Sequence, residues 1–363
     1  MRTRNILLAL LPVTILFLLL EGIFRLLPEE KRFPEAGYRE TYSFSSLFIP
    51  HPFFAFAPNP EHPAYYGHGL REDRELALDT NRYRIVCLGG SATYGARVLR
   101  EDAFPVRLEG LLNERGKDAE VLNAGVHAYN TANIIGWLSL RMIDLHPRMA
   151  VFYVGYNDVF AWVHFSGFDS DYSHAEKAWE MPDLHSPLWT CSAFLRRLTG
   201  WQPPLVHIHA VTFKPFSEDY EANYRSSAPT VFRRNLLTLA GICRAHGIVP
   251  VFALEATDFV GHPEGGSELM RVYGEGMAEA DKLMGELASR EGILRIDTSS
   301  LNNRAEFFAD FIHLNEAGNQ ALARIMAEAL ESKLTTLPDN TAPPAGRGSL
   351  VRPEELPAQK PRQ

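Results

Sequence analysis

The segment Cys87-Leu-Gly-Gly-Ser-Ala-Thr-Tyr-Gly95 follows a short apolar run and opens a helical pattern. A glycine-rich turn between a strand and a helix commonly either binds a phosphate at the helix N-terminus or presents a nucleophile there. A P-loop needs Lys and then Ser or Thr after its second glycine, whereas Ala96 and Arg97 follow Gly95, and the spacing G-x-G-x-x-G is absent too. The segment therefore favours Ser91 as a nucleophile, because the positive end of a helix stabilises an oxyanion.

Around this segment the sequence alternates between strand and helix patterns. Five apolar runs rich in β-branched residues lack surface alternation, which is typical of strands buried on both faces of a parallel sheet; they are Arg84–Leu88, Ala119–Leu122, Met149–Val154, Ile248–Leu254 and Ile293–Ile296. Helical patterns accompany them at Phe104–Glu114, Thr131–Leu145, Val231–His246, Val272–Arg290 and Glu316–Lys333. The alternation predicts an α/β domain of three layers, α/β/α, with a doubly wound, flavodoxin-like sheet of five parallel strands.

The domain is expected over residues 81–333, with different kinds of sequence on either side. Residues 28–80 are rich in proline, aromatic and charged residues, and they predict a stalk or juxtamembrane segment that packs partly onto the domain. Residues 334–363 are rich in proline and glycine and predict a disordered tail. Within the domain, residues 159–230 form an aromatic-rich insertion that either packs as a cap on its own core or contacts substrate.

The N-terminus resembles a membrane anchor. Arg2 and Arg4 precede an apolar run that continues, around Glu21 and Arg25, as far as Leu27. This length approaches the ~20 residues that cross a bilayer, and no small-residue cleavage site follows, so we expect an uncleaved transmembrane signal anchor over residues 6–27. The positive-inside tendency then places residues 1–5 in the cytoplasm and the catalytic domain on the extracytoplasmic side, periplasmic or extracellular, of the cytoplasmic membrane.

Composition excludes several other classes of protein. A net charge of -8 and a pI near 5.9 argue against a nucleic-acid partner. Hydrophobic residues make up 46% of the chain, which is enough for an ordinary core. The three cysteines show no metal-ligand spacing and no disulfide framework, and Cys87 is expected to be a core residue. His207 and His209 form an alternating pair with no evident third metal ligand.

A serine nucleophile needs a base that is itself oriented by an acid. His313 lies in Asp310-Phe-Ile-His-Leu-Asn-Glu-Ala-Gly318, between the last predicted strand and the last helix, at the edge where an α/β sheet gathers its functional loops. The three-residue spacing lets the Asp310 carboxylate turn back onto the imidazole and select its tautomer. Asp297, at the end of the fifth strand, is an alternative acid, whereas Asp158 is expected to be a helix cap or loop anchor.

Four blocks of the sequence resemble the SGNH hydrolases, the GDSL-like esterases. They occur in the family's order at the ends of the predicted strands: Gly89-Gly-Ser91 in a Gly-Gly-Ser variant of the first block, Asn123-Ala-Gly125, Gly155-Tyr-Asn157-Asp158 and Asp310-x-x-His313. Gly90 stands where the family usually has aspartate, so substrate preferences of Gly-Asp-Ser members do not carry over.

The resemblance implies a role for each matched residue. Ser91 attacks the acyl carbon, His313 takes its proton, and Asp310 orients His313. The backbone N–H groups of Ser91 and Gly125 and the side-chain amide of Asn157 hold the oxyanion. No metal and no organic cofactor is implied.

The predicted function is a serine esterase that works through an acyl-serine intermediate. Combined with the expected location, it indicates hydrolysis of an O-acyl ester, acetyl in the first instance, on an envelope glycan or polysaccharide. Lipid esters, thioesters and transfer of the acyl group to a sugar are alternatives of the same chemistry. An alternative of another class is a non-catalytic glycan-binding or export-assembly module whose aromatic insertion recognises carbohydrate.

Overall fold

The computed structural model describes residues 2–27, 47–51, 53–60, 62–77, 80–180, 188–199, 207–208, 219–263 and 266–336. Its helices are α1 Arg2–Leu26, α2 Ser91–Tyr94, α3 Phe104–Glu114, α4 Thr131–Trp137, α5 Tyr156–His164, α6 Ala193–Thr199, α7 Tyr220–Ser226, α8 Thr230–Ala245, α9 Ser267–Glu291 and α10 Glu316–Thr336. Its strands are β1 Phe48–His51, β2 Ala55–Pro58, β3 Tyr83–Gly89, β4 Ala119–Gly125, β5 Met149–Val154, β6 Trp179–Glu180, β7 His207–Ile208, β8 Val249–Leu254 and β9 Leu294–Ile296.

The central sheet has five parallel strands in the order β4-β3-β5-β8-β9, which confirms the predicted α/β fold with a flavodoxin-like sheet. Every residue of β4 and β5 is buried, as expected for strands covered on both faces. Two hydrophobic clusters lie on opposite faces of the sheet: side chains of α8 and α9 contribute to one, and those of α3 and α10 to the other. This layering brings the carboxyl ends of all five strands to one edge.

The predicted helices occur where the sequence pattern places them. The pattern Thr131–Leu145 begins as α4 and continues as a π-turn over Leu138–Met142 and a 3₁₀ turn over Ile143–Leu145. Asn130 caps α4 by accepting hydrogen bonds from the N–H groups of Ala132 and Asn133, while the Asn133 side chain accepts one from the Asn130 N–H. Such a capping box satisfies N–H groups that the first turn leaves without helical partners.

The described part of the predicted stalk is packed into the domain. β1 and β2 form an antiparallel hairpin whose side chains Phe48, Phe54 and Phe56 are almost completely buried in the main core. Residues 28–46 lie outside the described chain, as do residues 337–363 of the predicted tail, whereas its first three residues, 334–336, belong to α10. Residues 47–77 therefore belong to the catalytic domain, because their aromatic side chains complete its core.

The expectation of a transmembrane helix at residues 6–27 is not supported. A helix does form there, α1, but within the described chain no helix combines the length and the apolar character that crossing a bilayer requires. The charged side chains of Glu21 and Arg25 interrupt its last two turns, and both make polar contacts with the start of α6.

Three aromatic side chains near the start of the insertion pack into the core of the domain. Trp162, Phe165 and Tyr172 are buried in the main core, and the Trp162 indole N–H donates a hydrogen bond to the Tyr172 hydroxyl. These three residues match the interpretation of the insertion as a cap on its own core. Trp201 and Phe213, two other aromatic residues of the insertion, lie outside the described residues.

Candidate active site

Three strand ends meet at the carboxyl edge of the sheet. Gly89, the last residue of β3, pairs with Gly125 of β4 on one side and with Tyr153 of β5 on the other. The chain after β3 turns directly into α2, so that Ser91 is its first helical residue. The loop before α10 carries Asp310 and His313 to the same edge.

The structure brings Ser91, His313 and Asp310 into one hydrogen-bonded chain. His313 Nε2 lies 2.8 Å from Ser91 Oγ, and His313 Nδ1 lies 2.7 Å from Asp310 Oδ2. Both side chains of the histidine–aspartate pair are largely shielded, with 17% and 15% of their surface exposed. The contact joins residues 222 positions apart in sequence. It has the arrangement in which a carboxylate orients an imidazole that accepts the serine proton.

Asp310 is held in its ionised form. Burial alone would raise its pKa, but hydrogen bonds from the His313 ring, the His313 N–H and the Ile312 N–H outweigh that effect and hold the pKa well below its ordinary value. Arg97 lies 3.4 Å from the same carboxylate and adds a positive charge at the edge of the site. An ionised Asp310 keeps the proton of the neutral His313 imidazole on Nδ1, which leaves Nε2 free to accept the proton of Ser91.

Asn157 is the fourth predicted site residue that the structure places at this edge. Its amide nitrogen donates a hydrogen bond to the Tyr129 carbonyl at 3.0 Å, which occupies one of its two hydrogens and leaves the other for a ligand. Asn157 lies in the first turn of α5, and the preceding N–H, that of Tyr156, donates to the buried Glu255 carboxyl at 2.6 Å. Burial raises the pKa of Glu255 to about 8. The Tyr129 carbonyl thus holds the Asn157 side chain, and Glu255 holds the helix turn that carries it.

Gly90 provides the space that Asn157 occupies. A Cβ atom on Gly90 would lie 2.2 Å from the Asn157 amide nitrogen, which explains why this variant of the first block has no side chain here. Gly90→Ala is expected to displace the Asn157 amide by rotating its side chain, since that amide is the end of a flexible group. We expect a fall in kcat of about 10-fold to 100-fold on an ester substrate, because a displaced donor loses part of its stabilisation of the transition state.

The matched control for this prediction is Gly110→Ala on α3, where an added Cβ meets no atom within 4 Å. Thermal unfolding of both variants, followed by circular dichroism, separates a change at the site from a general loss of stability. A Gly90→Ala enzyme with native kcat would show that Gly90 does not set the position of Asn157.

Gly125 is not placed as the sequence predicts for an oxyanion donor. Its N–H donates to the side-chain oxygen of Asn123 at 3.1 Å, and a Cβ added to it would lie 2.2 Å from the backbone nitrogen of Tyr94. The glycine is needed because α2 packs directly on the end of β4. Its N–H is engaged inside the protein, so the geometry does not favour it as a donor to a ligand.

A turn after β4 presents another backbone N–H. The N–H of Tyr129 donates to the Val126 carbonyl, and Ala128, within this turn, has a φ of +60°, a conformation uncommon for a residue with a side chain. The Ala128 N–H donates to no group within the described part of the chain. Because the Tyr129 carbonyl contacts Asn157, this turn lies beside the other site residues. The sequence pattern gives no sign of a positive φ at alanine, so local reasoning missed it.

Arg71 is a second residue that the sequence did not identify. Its guanidinium is 1% exposed and donates hydrogen bonds to the carbonyls of Tyr94, Gly95 and Val98, at 2.5, 2.8 and 2.8 Å. Tyr94 is the last residue of the short helix α2, and Gly95 and Val98 follow it, so Arg71 holds the C-terminal end of the helix in place. Arg71 was overlooked because it lies in the segment predicted to be a stalk.

The other residues that the sequence singled out lie outside the contact between Ser91, His313 and Asp310. Asp297 accepts a hydrogen bond from the Ser299 N–H and is not the carboxylate that contacts His313. Asp158 is completely buried and binds the N–H and hydroxyl of Thr131, which ties α5 to the start of α4 as a loop anchor. Cys87 is a buried core residue, as predicted. No group of three or more potential metal ligands occurs among the residues that the structure describes.

The fold and the site together have the arrangement of a serine hydrolase of the α/β type: a serine at the start of a helix after the first strand of the parallel sheet, in contact with a histidine–aspartate pair from the last loop. A profile of the GDSL-like lipase/acylhydrolase family matches residues 87–321, which is more than half of the chain. The chain therefore belongs to the GDSL-like lipase/acylhydrolase family, as the four sequence blocks suggested. Ester hydrolysis is the general chemistry of this class.

Solved structures with similar folds include enzymes of the same kind. The lipase/acylhydrolase from Enterococcus faecalis has a TM-score of 0.44 and 16% identity, over 69% of this chain and 96% of that one. A GDSL-like lipase from Bacteroides thetaiotaomicron has a TM-score of 0.41 and 11% identity, over 72% of this chain and 92% of that one. The acetyl xylan esterase AlAXEase has a TM-score of 0.42 and 14% identity, over 68% of this chain and 99% of that one. With TM-scores below 0.5, these likenesses add nothing to the family assignment. A comparison with curated protein sequences found no match.

Proposed function

We propose that this chain is a serine esterase in which Ser91 is the nucleophile, His313 the general base and Asp310 the group that orients His313. The single observation that carries the proposal is the continuous contact from Ser91 Oγ through the His313 ring to an ionised Asp310. As Ser91 attacks the ester carbon, its proton passes to Nε2 of His313, and the same imidazole then protonates the departing alcohol. Water repeats the sequence on the acyl-serine and releases the acid.

We infer that the oxyanion is held by the N–H groups of Ser91 and Ala128 and by the Asn157 amide. Ala128 takes the place that the sequence suggested for Gly125, because the Gly125 N–H is bound to Asn123 whereas the Ala128 N–H is not bound within the described chain. Preorganised donors of this kind stabilise developing negative charge without reorganisation cost at the moment of reaction.

Asn157→Ala is expected to lower kcat by about 10²-fold to 10³-fold with a smaller change in KM, because the amide acts mainly on the charge of the transition state. Asn157→Asp is expected to be worse, since a carboxylate in the same position repels the oxyanion. Steady-state kinetics on p-nitrophenyl acetate check both values. Equal activity of the alanine and aspartate variants would contradict a donor role for Asn157.

We propose an O-acyl ester of an envelope glycan, acetyl in the first instance, as the substrate. The proposal is supported by the family chemistry together with the expected extracytoplasmic location. A panel that compares acetylated xylo-oligosaccharides and chito-oligosaccharides with p-nitrophenyl esters of two to twelve carbons tests it. Release of acetate from a glycan at a higher kcat/KM than any long-chain ester is the expected result, and a preference for long acyl chains would overturn it.

We further propose that α1 attaches the protein to the extracytoplasmic face of the cytoplasmic membrane. Support comes from the apolar run between the arginines of residues 1–5 and Glu21, and from the exposure of its side chains, for example Leu16 at 57% and Leu19 at 59%. Cell fractionation with a carbonate wash, followed by protease treatment of spheroplasts, tests both parts of this proposal. A native chain found in the soluble fraction, or shielded from protease until the cells are lysed, would contradict it.

A further inference from the structure

The N-terminal helix α1 and helix α6 of the insertion are joined by a dense set of polar contacts. The Glu21 carboxylate accepts hydrogen bonds from the Ser192 hydroxyl at 2.6 Å and from the Ala193 and Phe194 N–H groups, both at 3.1 Å. Arg25 binds the same carboxylate at 2.7 Å and also donates to the Cys191 carbonyl. The acid that interrupts the apolar run of α1 is thus satisfied by four donors, three of them at the start of α6.

Aromatic packing reinforces this junction. The Phe194 ring meets Phe17 edge-on at 5.9 Å and Phe24 at 5.5 Å between centroids. The Arg197 guanidinium lies 5.8 Å from the Phe24 ring centre. The two helices therefore form one structural unit, although 171 residues separate Glu21 from Ser192.

The outer surface of this unit is apolar on more than one side. From Leu10 onward, exposed apolar side chains occur around the whole circumference of α1, so its contact with α6 covers only part of its apolar surface; they include Leu10, Leu11, Val13, Ile15, Leu16, Leu18, Leu19, Ile23 and Leu26. In and beside α6, Leu198 is 67% exposed and Trp189 39% exposed. Contiguous apolar surface of this kind marks an interaction site.

The charges of the unit favour an anionic partner. Residues 188–199 contain Arg196 and Arg197 and no acidic residue, and the Glu21 carboxylate beside them is paired with Arg25. The whole chain, in contrast, has a net charge of -8. Basic residues beside an apolar surface match the head groups of anionic lipids, which attract each nearby arginine.

We propose that α1 and α6 form one lipid-binding element, in which α6 satisfies the acid of α1 and adds its own apolar and basic side chains to the surface that contacts an anionic bilayer. The inference rests on the proposed attachment of α1 to a membrane and goes beyond it by giving the insertion a role. Because α6 belongs to the insertion, its docking on α1 holds the catalytic domain at the bilayer surface in a defined orientation.

The first test measures binding of the full chain to vesicles of phosphatidylglycerol and phosphatidylcholine by flotation. The double variant Arg196→Gln/Arg197→Gln is expected to bind about 10-fold more weakly than the native chain. The matched control, Arg290→Gln/Arg324→Gln on α9 and α10, removes the same charge elsewhere and is expected to bind as the native chain does. Equal binding by the two double variants would overturn the inference.

The second test reads the position of α6 directly. Cys191 is exposed while Cys87 and Cys243 are buried, so an environment-sensitive dye attaches at the start of α6. Vesicles are expected to shift the emission of this dye to shorter wavelength. The control carries the dye on α8 instead, in the double variant Cys191→Ser/Leu237→Cys, and its emission is expected not to shift. An unchanged spectrum at Cys191 in a chain that still binds would show that α1 attaches alone. Absence of vesicle binding by the native chain would overturn the attachment itself.

Discussion

Ser91→Ala is expected to lower ester hydrolysis by at least about 10⁴-fold, the largest effect of any substitution in the chain. In the proposed mechanism the hydroxyl that His313 contacts at 2.8 Å forms the acyl intermediate, so its removal leaves the base with no proton to take. Loss of the serine or the histidine of such a triad costs nearly as much as loss of all three members. The measurement is kcat/KM on p-nitrophenyl acetate, with a fluorophosphonate probe that labels the active serine.

Ser170→Ala is a suitable control because Ser170 is an exposed serine on the same domain. The native chain and the control are expected to be labelled and active, and the Ser91 variant to be neither. Persistent labelling of Ser91→Ala would place the nucleophile elsewhere. Silence of the native chain in both assays, with glycan binding retained, would favour the non-catalytic module.

Asp310→Asn is expected to lower kcat by about 10⁴-fold while leaving the fold intact. An asparagine can donate its amide hydrogen to Nδ1 of His313, which moves the imidazole proton to Nε2 and leaves no acceptor for the Ser91 proton. The electrostatic support of the imidazolium by an ionised Asp310 is lost as well.

Asp297→Asn is the matched control, since Asp297 is the other carboxylate that the sequence offered and it contacts Ser299 instead. Kinetics of the two variants on the same ester separate the roles: a large loss in Asp310→Asn with native activity in Asp297→Asn is expected. The reverse result would transfer the orienting role to Asp297.

The strands and most helices could be predicted from the sequence because their patterns are local. The buried run Met149–Val154 forms a strand with the same limits, and Phe104–Glu114 forms α3 with the same limits. Ser91, Asp310 and His313 were also recognisable, since a glycine-rich turn and a three-residue spacing are properties of short segments.

Other features depend on contacts between distant parts of the chain. Arg71 seemed to belong to a stalk because its own segment has no regular pattern, yet it binds the carbonyls after α2. The distinction between Gly125 and Ala128 depends on which N–H is already bonded and on a φ of +60° that alanine seldom adopts. Neither property is visible in residue types or their spacing.

The sequence by itself indicated the strands of the central sheet, most of the helices, and Ser91, Asp310 and His313 as candidate site residues, because hydrophobic periodicity and short motifs act over a few residues. Only the tertiary structure decided that the Gly125 N–H is bonded to Asn123, that residues 47–77 complete the core, and that Glu21 is bound by the start of α6. Those outcomes follow from long-range packing and hydrogen-bond satisfaction, in which each group takes the partner that the whole fold leaves within reach.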